Sequence, residues 1–277
     1  MDNDLNIVEV YLQKYGQMII LLLGMPTSNK SAIAKELISD IEPKFTLINI
    51  NNYLEKKFID IEVKNIKYKL YDHPDNINYD KLLNDINLYK SSGVVIYGNF
   101  LNTDIIKNIV IDFSYFFDVK HNFLKNNLIK KKLLPYDDEI ENISNINLSN
   151  DTKTDNTTKT DNTTSDNTTK TDNTTSDNTT TDNTLKNNYE KKINRKLEIY
   201  ISFILLPIYS NIKKNIKFNR FYNIREDTDF DEVYNNLFDI FIYSLKKKLN
   251  QPLDDEEINL SETNLDRNKK KIFFQDK

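Results

Sequence analysis

Short, near-continuous apolar runs alternate along this chain with longer segments in which apolar residues recur every three or four positions. The runs Met18–Leu23, Phe45–Ile50, Val94–Gly98, Phe113–Phe117 and Phe221–Ile224 are rich in Ile, Val, Leu, Phe and Tyr. Runs of this kind suit central parallel strands buried on both faces. Helical spacing predicts helices over Lys30–Ile41, Tyr79–Ser91, His121–Leu134, Tyr189–Lys217 and Phe230–Leu249. The last is the clearest: Phe230, Val233, Tyr234, Leu237, Phe238, Phe241, Ile242 and Leu245 form one stripe, with acids in the first turn and lysines in the last. Strands separated by helices imply crossover connections, so the expected fold class is α/β, a central parallel sheet of about five strands with helices on both faces. In such folds ligands bind at the carboxyl ends of the strands.

One stretch breaks this pattern. From Asn147 to Asn188, about 42 residues, the chain is almost entirely Asp, Asn, Thr, Ser and Lys in imperfect Thr-Asp-Asn-Thr-Thr repeats. It has little apolar surface to offset its ordering entropy, and it is expected to be a disordered insert within one fold rather than a domain linker. The expected organisation is therefore 1–146 and 189–250 as two parts of one core, 147–188 as the insert, and 251–277 as a polar tail.

Composition narrows the function classes. A net charge of −4 and a pI near 5.4 argue against nucleic acid as the main partner. The runs Lys130–Lys132, Lys246–Lys248 and Lys269–Lys271 fall at expected helix ends or in the tail, where solvated cationic caps account for them. There is no cysteine, hence no disulfide framework and no thiolate chemistry, and the two histidines, His73 and His121, belong to different segments. No segment reaches the ~18 apolar residues of a transmembrane helix. Asp2, Asp4 and Glu9 are wrong for a secretory leader, so no membrane association and a cytoplasmic location are the expectations. Abundant Asn, Lys and Ile with only four glycines also fit an AT-rich coding bias, which replaces residues without functional cause.

The most informative motif follows the first apolar run. Gly24-Met25-Pro26-Thr27-Ser28-Asn29-Lys30-Ser31 lies between an expected strand and an expected helix, the setting in which G-x-x-x-x-G-K-[ST] wraps phosphates. In such a loop the backbone N–H groups of residues such as Thr27, Ser28 and Asn29 face a phosphate, and the helix dipole favours negative charge there. Lys30 is placed for the terminal phosphates and Ser31 for Mg²⁺. Asn29 stands where the second glycine belongs. If that position needs a left-handed backbone, Asn is the least costly substitute; if it needs close approach to phosphate, the side chain obstructs it. The plainer alternative is an ordinary strand–turn–helix with Lys30 solvated in the first turn.

A second constellation, Tyr71-Asp72-His73-Pro74-Asp75-Asn76-Ile77-Asn78-Tyr79-Asp80, precedes a helix containing Leu82, Leu83, Ile86 and Leu88. Read alone it is a turn and an N-cap, with Pro74 and Asp75 initiating and Asn78 capping. A phosphate loop followed by Asp-His-Pro-Asp opening a Leu-rich helix also resembles the uridine kinase group of P-loop kinases. Val94–Leu101, Phe113–Val119 and Tyr200–Ile224, the last containing Pro207, Tyr209, Lys213 and Lys214, resemble further landmarks of that group in the same order. The resemblance covers roughly residues 18–135 and 189–249, with the low-complexity insert where the group has its lid.

The resemblance implies a P-loop NTPase fold, ATP and Mg²⁺ as cofactors, and a nucleotide and a small hydroxyl-bearing metabolite as partners; it leaves the oligomeric state open. It assigns Asp72, with His73, to the substrate hydroxyls, and Lys130 among the lid cations. It also exposes departures. Asn51 stands at the expected base position, and an amide cannot take a proton at neutral pH. Tyr97-Gly98-Asn99 lacks the acid expected at the end of its strand. The lid helix offers Lys125, Lys130, Lys131 and Lys132 but no arginine until Arg195, so charge is present without the bidentate fork. The segment between the Leu-rich helix and Val94 is too short for the group's nucleobase loop. Asp60 and Asp104 are candidate stand-ins for the missing acids. Two readings follow: an ATP-dependent kinase acting on a ribosyl or similar hydroxyl, and a nucleotide-binding pseudokinase that serves as a regulatory or scaffold partner.

Overall fold

The computed structural model describes residues 6–107, 109–131 and 191–252. The insert expected at 147–188, Lys132 and the tail beyond 252 lie outside the described residues. Five strands form one all-parallel sheet: β1 (Ile19–Gly24), β2 (Thr46–Asn49), β5 (Val94–Gly98), β6 (Phe113–Val119) and β7 (Arg220–Ile224), in the order β2-β5-β1-β6-β7. The α/β fold is thus established. β1 is central, and all six of its residues are buried. Its register runs Leu21 beside Ile96 on one side and beside Ser114 on the other. β6 precedes the undescribed stretch and β7 follows it, yet the two pair directly from Tyr115–Arg220 to Val119–Ile224.

Alternate residues of β6 identify what covers each face. Phe113 packs against Tyr11 of α1 (Ile7–Tyr15) and Phe241 of the long last helix (Phe230–Leu249). Phe116, on the opposite face, packs against Tyr209 of a helix that ends at Asn215. α2 (Lys30–Asp40) contacts the last helix and so lies on the Phe113 side. α3 (Tyr79–Tyr89) sends Leu82 and Ile86 toward Leu21 and Ile96, on the Phe116 side. α4 (Thr103–Ile106) meets the Tyr209 helix and lies there too. α5 (His121–Lys130) follows β6.

Residues 191–200 are helical and pass through a π-turn, Ile201–Leu205, into α6 (Leu206–Asn215). The Leu206 N–H donates to Ile201 O, five residues back. Pro207 follows at once; it has no N–H to give and its ring collides with a regular helical carbonyl, so the widened turn sits where a straight ladder would fail. The last helix, α7 (Phe230–Leu249), obeys its sequence pattern. Asp229 caps it, Asp231 and Glu232 fill its first turn, and Lys246–Lys248 fill its last. Its buried Tyr234, Leu237, Ile240, Phe241 and Leu245 each contribute about 1.5–3 kcal/mol by leaving water.

Three elements go beyond the expected set. α1 carries a complete capping box: Asn6 Oδ1 accepts from the Val8 and Glu9 N–H groups while the Asn6 N–H donates to Glu9 at 3.0 Å. α4 is one short turn. The third is an antiparallel hairpin, β3 (Ile59–Val63) with β4 (Ile66–Leu70), turned by Lys64 and Asn65 at φ 54° and 60°. Both turn residues are left-handed, as a two-residue type I′ connection demands. The hairpin docks on the 191–205 region through Tyr68, whose hydroxyl donates to Lys196 O at 2.9 Å and whose ring meets Tyr200. Among the described residues no helix is long and apolar enough to cross a membrane.

Candidate functional site

The chain leaves β1 toward α2 on one face of the sheet and leaves the adjacent strand β5 toward α4 on the other. The carboxyl ends of β1 and β5 therefore diverge into a crevice, the switch point at which parallel sheets bind ligands. A cavity of about 370 Å³ opens there. Thr27, Ser28, Asn29, Lys30 and Ser31 form one wall; Asn49, Asn51, Tyr97, Gly98 and Asn99 come from the ends of β2 and β5. Lys35 and Lys131 complete it, so its described lining holds three lysines and no carboxylate.

Backbone geometry explains the loop's residues. A Cβ on Gly24 would lie 2.5 Å from Phe117 O, the same oxygen that accepts the Met25 N–H at 3.0 Å. The close approach of β1 to β6 leaves no room for a side chain at this point. Asn29 is left-handed, φ 57° and ψ 13°, with its side chain exposed. Of the two roles open for that position, the structure shows the left-handed one, and the Asn29 side chain makes no capping bond across the start of α2. Thr27 is left-handed as well, φ 67°, a costly conformation for a β-branched residue. Its buried hydroxyl has no hydrogen-bond partner among the described residues.

Lys30 is folded inward rather than solvated. It is only 7% exposed, and its ammonium donates to Met25 O at 3.1 Å, Ser28 Oγ at 3.4 Å and Asn99 Oδ1 at 2.7 Å. Burial lowers its pKa to about 7, partly countered by the negative charge of Asp72. Asn99 Nδ2 donates in turn to Asp72 Oδ2 at 2.7 Å. Desolvation raises the Asp72 pKa, opposed by that hydrogen bond, by Lys30 and by His73. A single carboxamide therefore joins the phosphate-type loop to the Asp-His-Pro-Asp segment.

That segment is held by a buried amide. Asn76 Nδ2 faces Glu55 O, Lys57 O and Tyr71 O at 3.1, 2.8 and 2.7 Å, which pins the turn Pro74–Asn76 to the approach of the hairpin. His73 Nδ1 accepts the Asp75 N–H at 3.2 Å, and burial lowers the His73 pKa. His73 thus caps the turn and does not line the cavity. Asn78 caps α3, accepting from the Lys81 N–H. The turn-and-cap reading accounts for this segment; Asp72 does not line the cavity either and is joined to its wall only through Asn99.

Among the other expected residues, Ser31 and Asn51 line the cavity; Asn51 is exposed on the turn Ile50–Tyr53. Lys130 is exposed at the last residue of α5, and it is the neighbouring Lys131 that reaches the cavity. Lys125 pairs with Glu198 at 3.0 Å, a carboxylate that also meets His121 at 2.7 Å. Asp104 pairs with Lys107 at 2.7 Å and Asp60 is exposed on β3; neither borders the cavity. Sequence reasoning did not single out Lys35, Asn49, Tyr97 or Lys131 as lining residues. Asn49 and Tyr97 had one available signal, their place at strand carboxyl ends.

The donor set fits a polyphosphate better than a bare cation. Three lysines and an uncapped helix start face the cavity, whereas a divalent ion would find hydroxyl and amide oxygens without a carboxylate. Ser31, whose side chain carries a hydroxyl, is one of the lining residues that could hold a Mg²⁺ ion brought in with a polyphosphate. Compared with models of known protein families the chain matches none, and no curated protein matches it in sequence.

Proposed function

We propose that this chain is a uridine kinase-like P-loop protein that binds ATP with Mg²⁺ in the β1–β5 crevice and phosphorylates a hydroxyl of a nucleoside or similar ribosyl metabolite. The observation that carries the reading is the Lys30–Asn99–Asp72 chain, at 2.7 Å per link. It sets the phosphate-type loop beside the segment that resembles the group's hydroxyl-binding aspartate. Mg²⁺-ATP would supply the transferable phosphoryl group. The loop N–H groups and Lys30 would hold phosphate oxygens, Ser31 the ion, and Lys35 and Lys131 would add positive charge. Asp72 would accept a hydrogen bond from a substrate hydroxyl and orient it. Phosphoryl transfer depends mostly on such positioning and electrostatics.

A second reading is favoured by one specific observation. No carboxylate lines the cavity among the described residues, and Asn51 occupies the expected base position. A positioned base is worth about 10²–10⁴ in rate. Without one the chain would serve as a nucleotide-binding regulatory or scaffold partner.

Calorimetry with ATP and ADP, with and without Mg²⁺, tests the shared core of both readings. The expected result is binding by the wild-type chain and its loss in Lys30→Ala; absence of binding by wild type removes both. Turnover of ATP with a panel of nucleosides then separates them.

A further inference from the structure

An ammonium has three N–H donors, and three protein acceptors surround that of Lys30. Met25 O and Ser28 Oγ belong to the same loop, and Ser28 is fully buried. Asn99 Oδ1 is the only one brought from another strand, and Asn99 is half-buried at the cavity wall. Its orientation is determined by its neighbours, because only the oxygen can face a cation while the NH₂ faces Asp72. Turning the carboxamide away from Lys30 therefore also withdraws the donor from Asp72.

A phosphate oxygen arriving at Lys30 needs one of those three N–H bonds. Met25 O and the fully buried Ser28 hydroxyl are held within the loop itself, so the half-buried Asn99 carboxamide, a side chain at the cavity wall, is the acceptor open to displacement. We infer that Asn99 is a positioning residue that couples the two ends of the crevice: a polyphosphate at Lys30 displaces the Asn99 carboxamide, which frees Asp72 to accept a substrate hydroxyl. The inference rests on the phosphate reading of the cavity. It adds an order to that reading, in which the phosphate donor prepares the acceptor subsite.

Inorganic tripolyphosphate titrated into the full-length chain tests it without any acceptor substrate. The side-chain amide pair of Asn99, assigned in a ¹H–¹⁵N correlation spectrum by its loss in Asn99→Ala, should shift as tripolyphosphate saturates the loop. Calorimetry should show Asn99→Ala binding tripolyphosphate about five- to tenfold more tightly, because one internal acceptor fewer competes for Lys30. A merely structural Asn99 would move neither readout in this direction. Loop backbone amides that shift while the Asn99 pair stays put overturn the coupling and leave the phosphate site standing. Equal or weaker binding by a folded Asn99→Ala does the same. If neither heat nor any loop shift appears, the phosphate reading fails and the coupling falls with it. Should Asn99→Ala not fold, selective assignment through Asp72→Asn and the wild-type titration still decide the question.

Discussion

The Lys30 ammonium lies 2.7 Å from the Asn99 carboxamide oxygen, although 69 positions separate the two residues in the chain. Adjacent placement of β1 and β5 in the sheet brings them together, each just beyond a strand's carboxyl end. The burial of Lys30, rather than this contact, sets how the site responds to pH.

Lys30 has a folded-state pKa near 7, well below the ~10.4 of an unfolded lysine. Between those values the unfolded chain binds the extra proton, so unfolding free energy contributed by this residue rises with pH. The stability of wild type minus that of Lys30→Met should therefore increase by up to ~1.4 kcal/mol per pH unit from pH 7 to about 10. Urea unfolding of both chains across that range checks it; a flat difference would place the Lys30 amine in water.

The same titration predicts the pH dependence of ligand binding. Phosphate favours the cationic form, so ATP affinity should weaken by up to about tenfold per unit as pH rises from 7.5 to 9, with proton uptake on binding. Phosphate oxygens are already ionised over that range. Calorimetry in buffers of different ionisation enthalpy measures the uptake directly, and zero uptake at pH 8 would contradict a near-neutral Lys30.

Restoring a carboxylate at the expected base position separates the two functional readings. Asn51→Asp should raise nucleoside-dependent ATP turnover by about 10²–10⁴ if the rest of the crevice is competent. Unchanged turnover in a wild type that is already fast means that another group accepts the proton. No turnover in either form, with ATP binding retained, favours the pseudokinase reading.

Gly24 offers a test of the scaffold under the loop. Its Cβ would meet Phe117 O at 2.5 Å, and that oxygen is backbone, so neither partner yields easily. Gly24→Ala should cost at least ~1–3 kcal/mol in denaturant unfolding and weaken ATP binding by tilting the loop. Tyr68→Phe, by contrast, should cost only ~0.5–1.5 kcal/mol through its lost bond to Lys196 O.

The uneven legibility of the chain has physical causes. Val94–Gly98 and Phe230–Leu249 have the bounds expected from pattern alone, because continuous apolar runs and a capped amphipathic stripe are local signals. The hairpin was equally visible in strict alternation, Ile59-Asp60-Ile61-Glu62-Val63 and Ile66-Lys67-Tyr68-Lys69-Leu70, yet Lys64-Asn65 is a weak turn signal without glycine. α1 was hidden by its shortness, although Asn6 and Glu9 spelled out its capping box.

The amino-acid sequence by itself determined the strand–loop–helix at Gly24–Ser31, the turn at Asp72–Asn76 and the parallel α/β class, since each depends on neighbours within a few residues or on simple periodicity. Only the tertiary structure decided that Lys30 is buried, that Asn99 joins it to Asp72, and that Lys131 rather than Lys130 faces the cavity. Those relationships depend on which strands lie side by side and on how far a helix turns before it ends. Strand order is chosen by the packing of the whole core, and no local stretch of sequence encodes it.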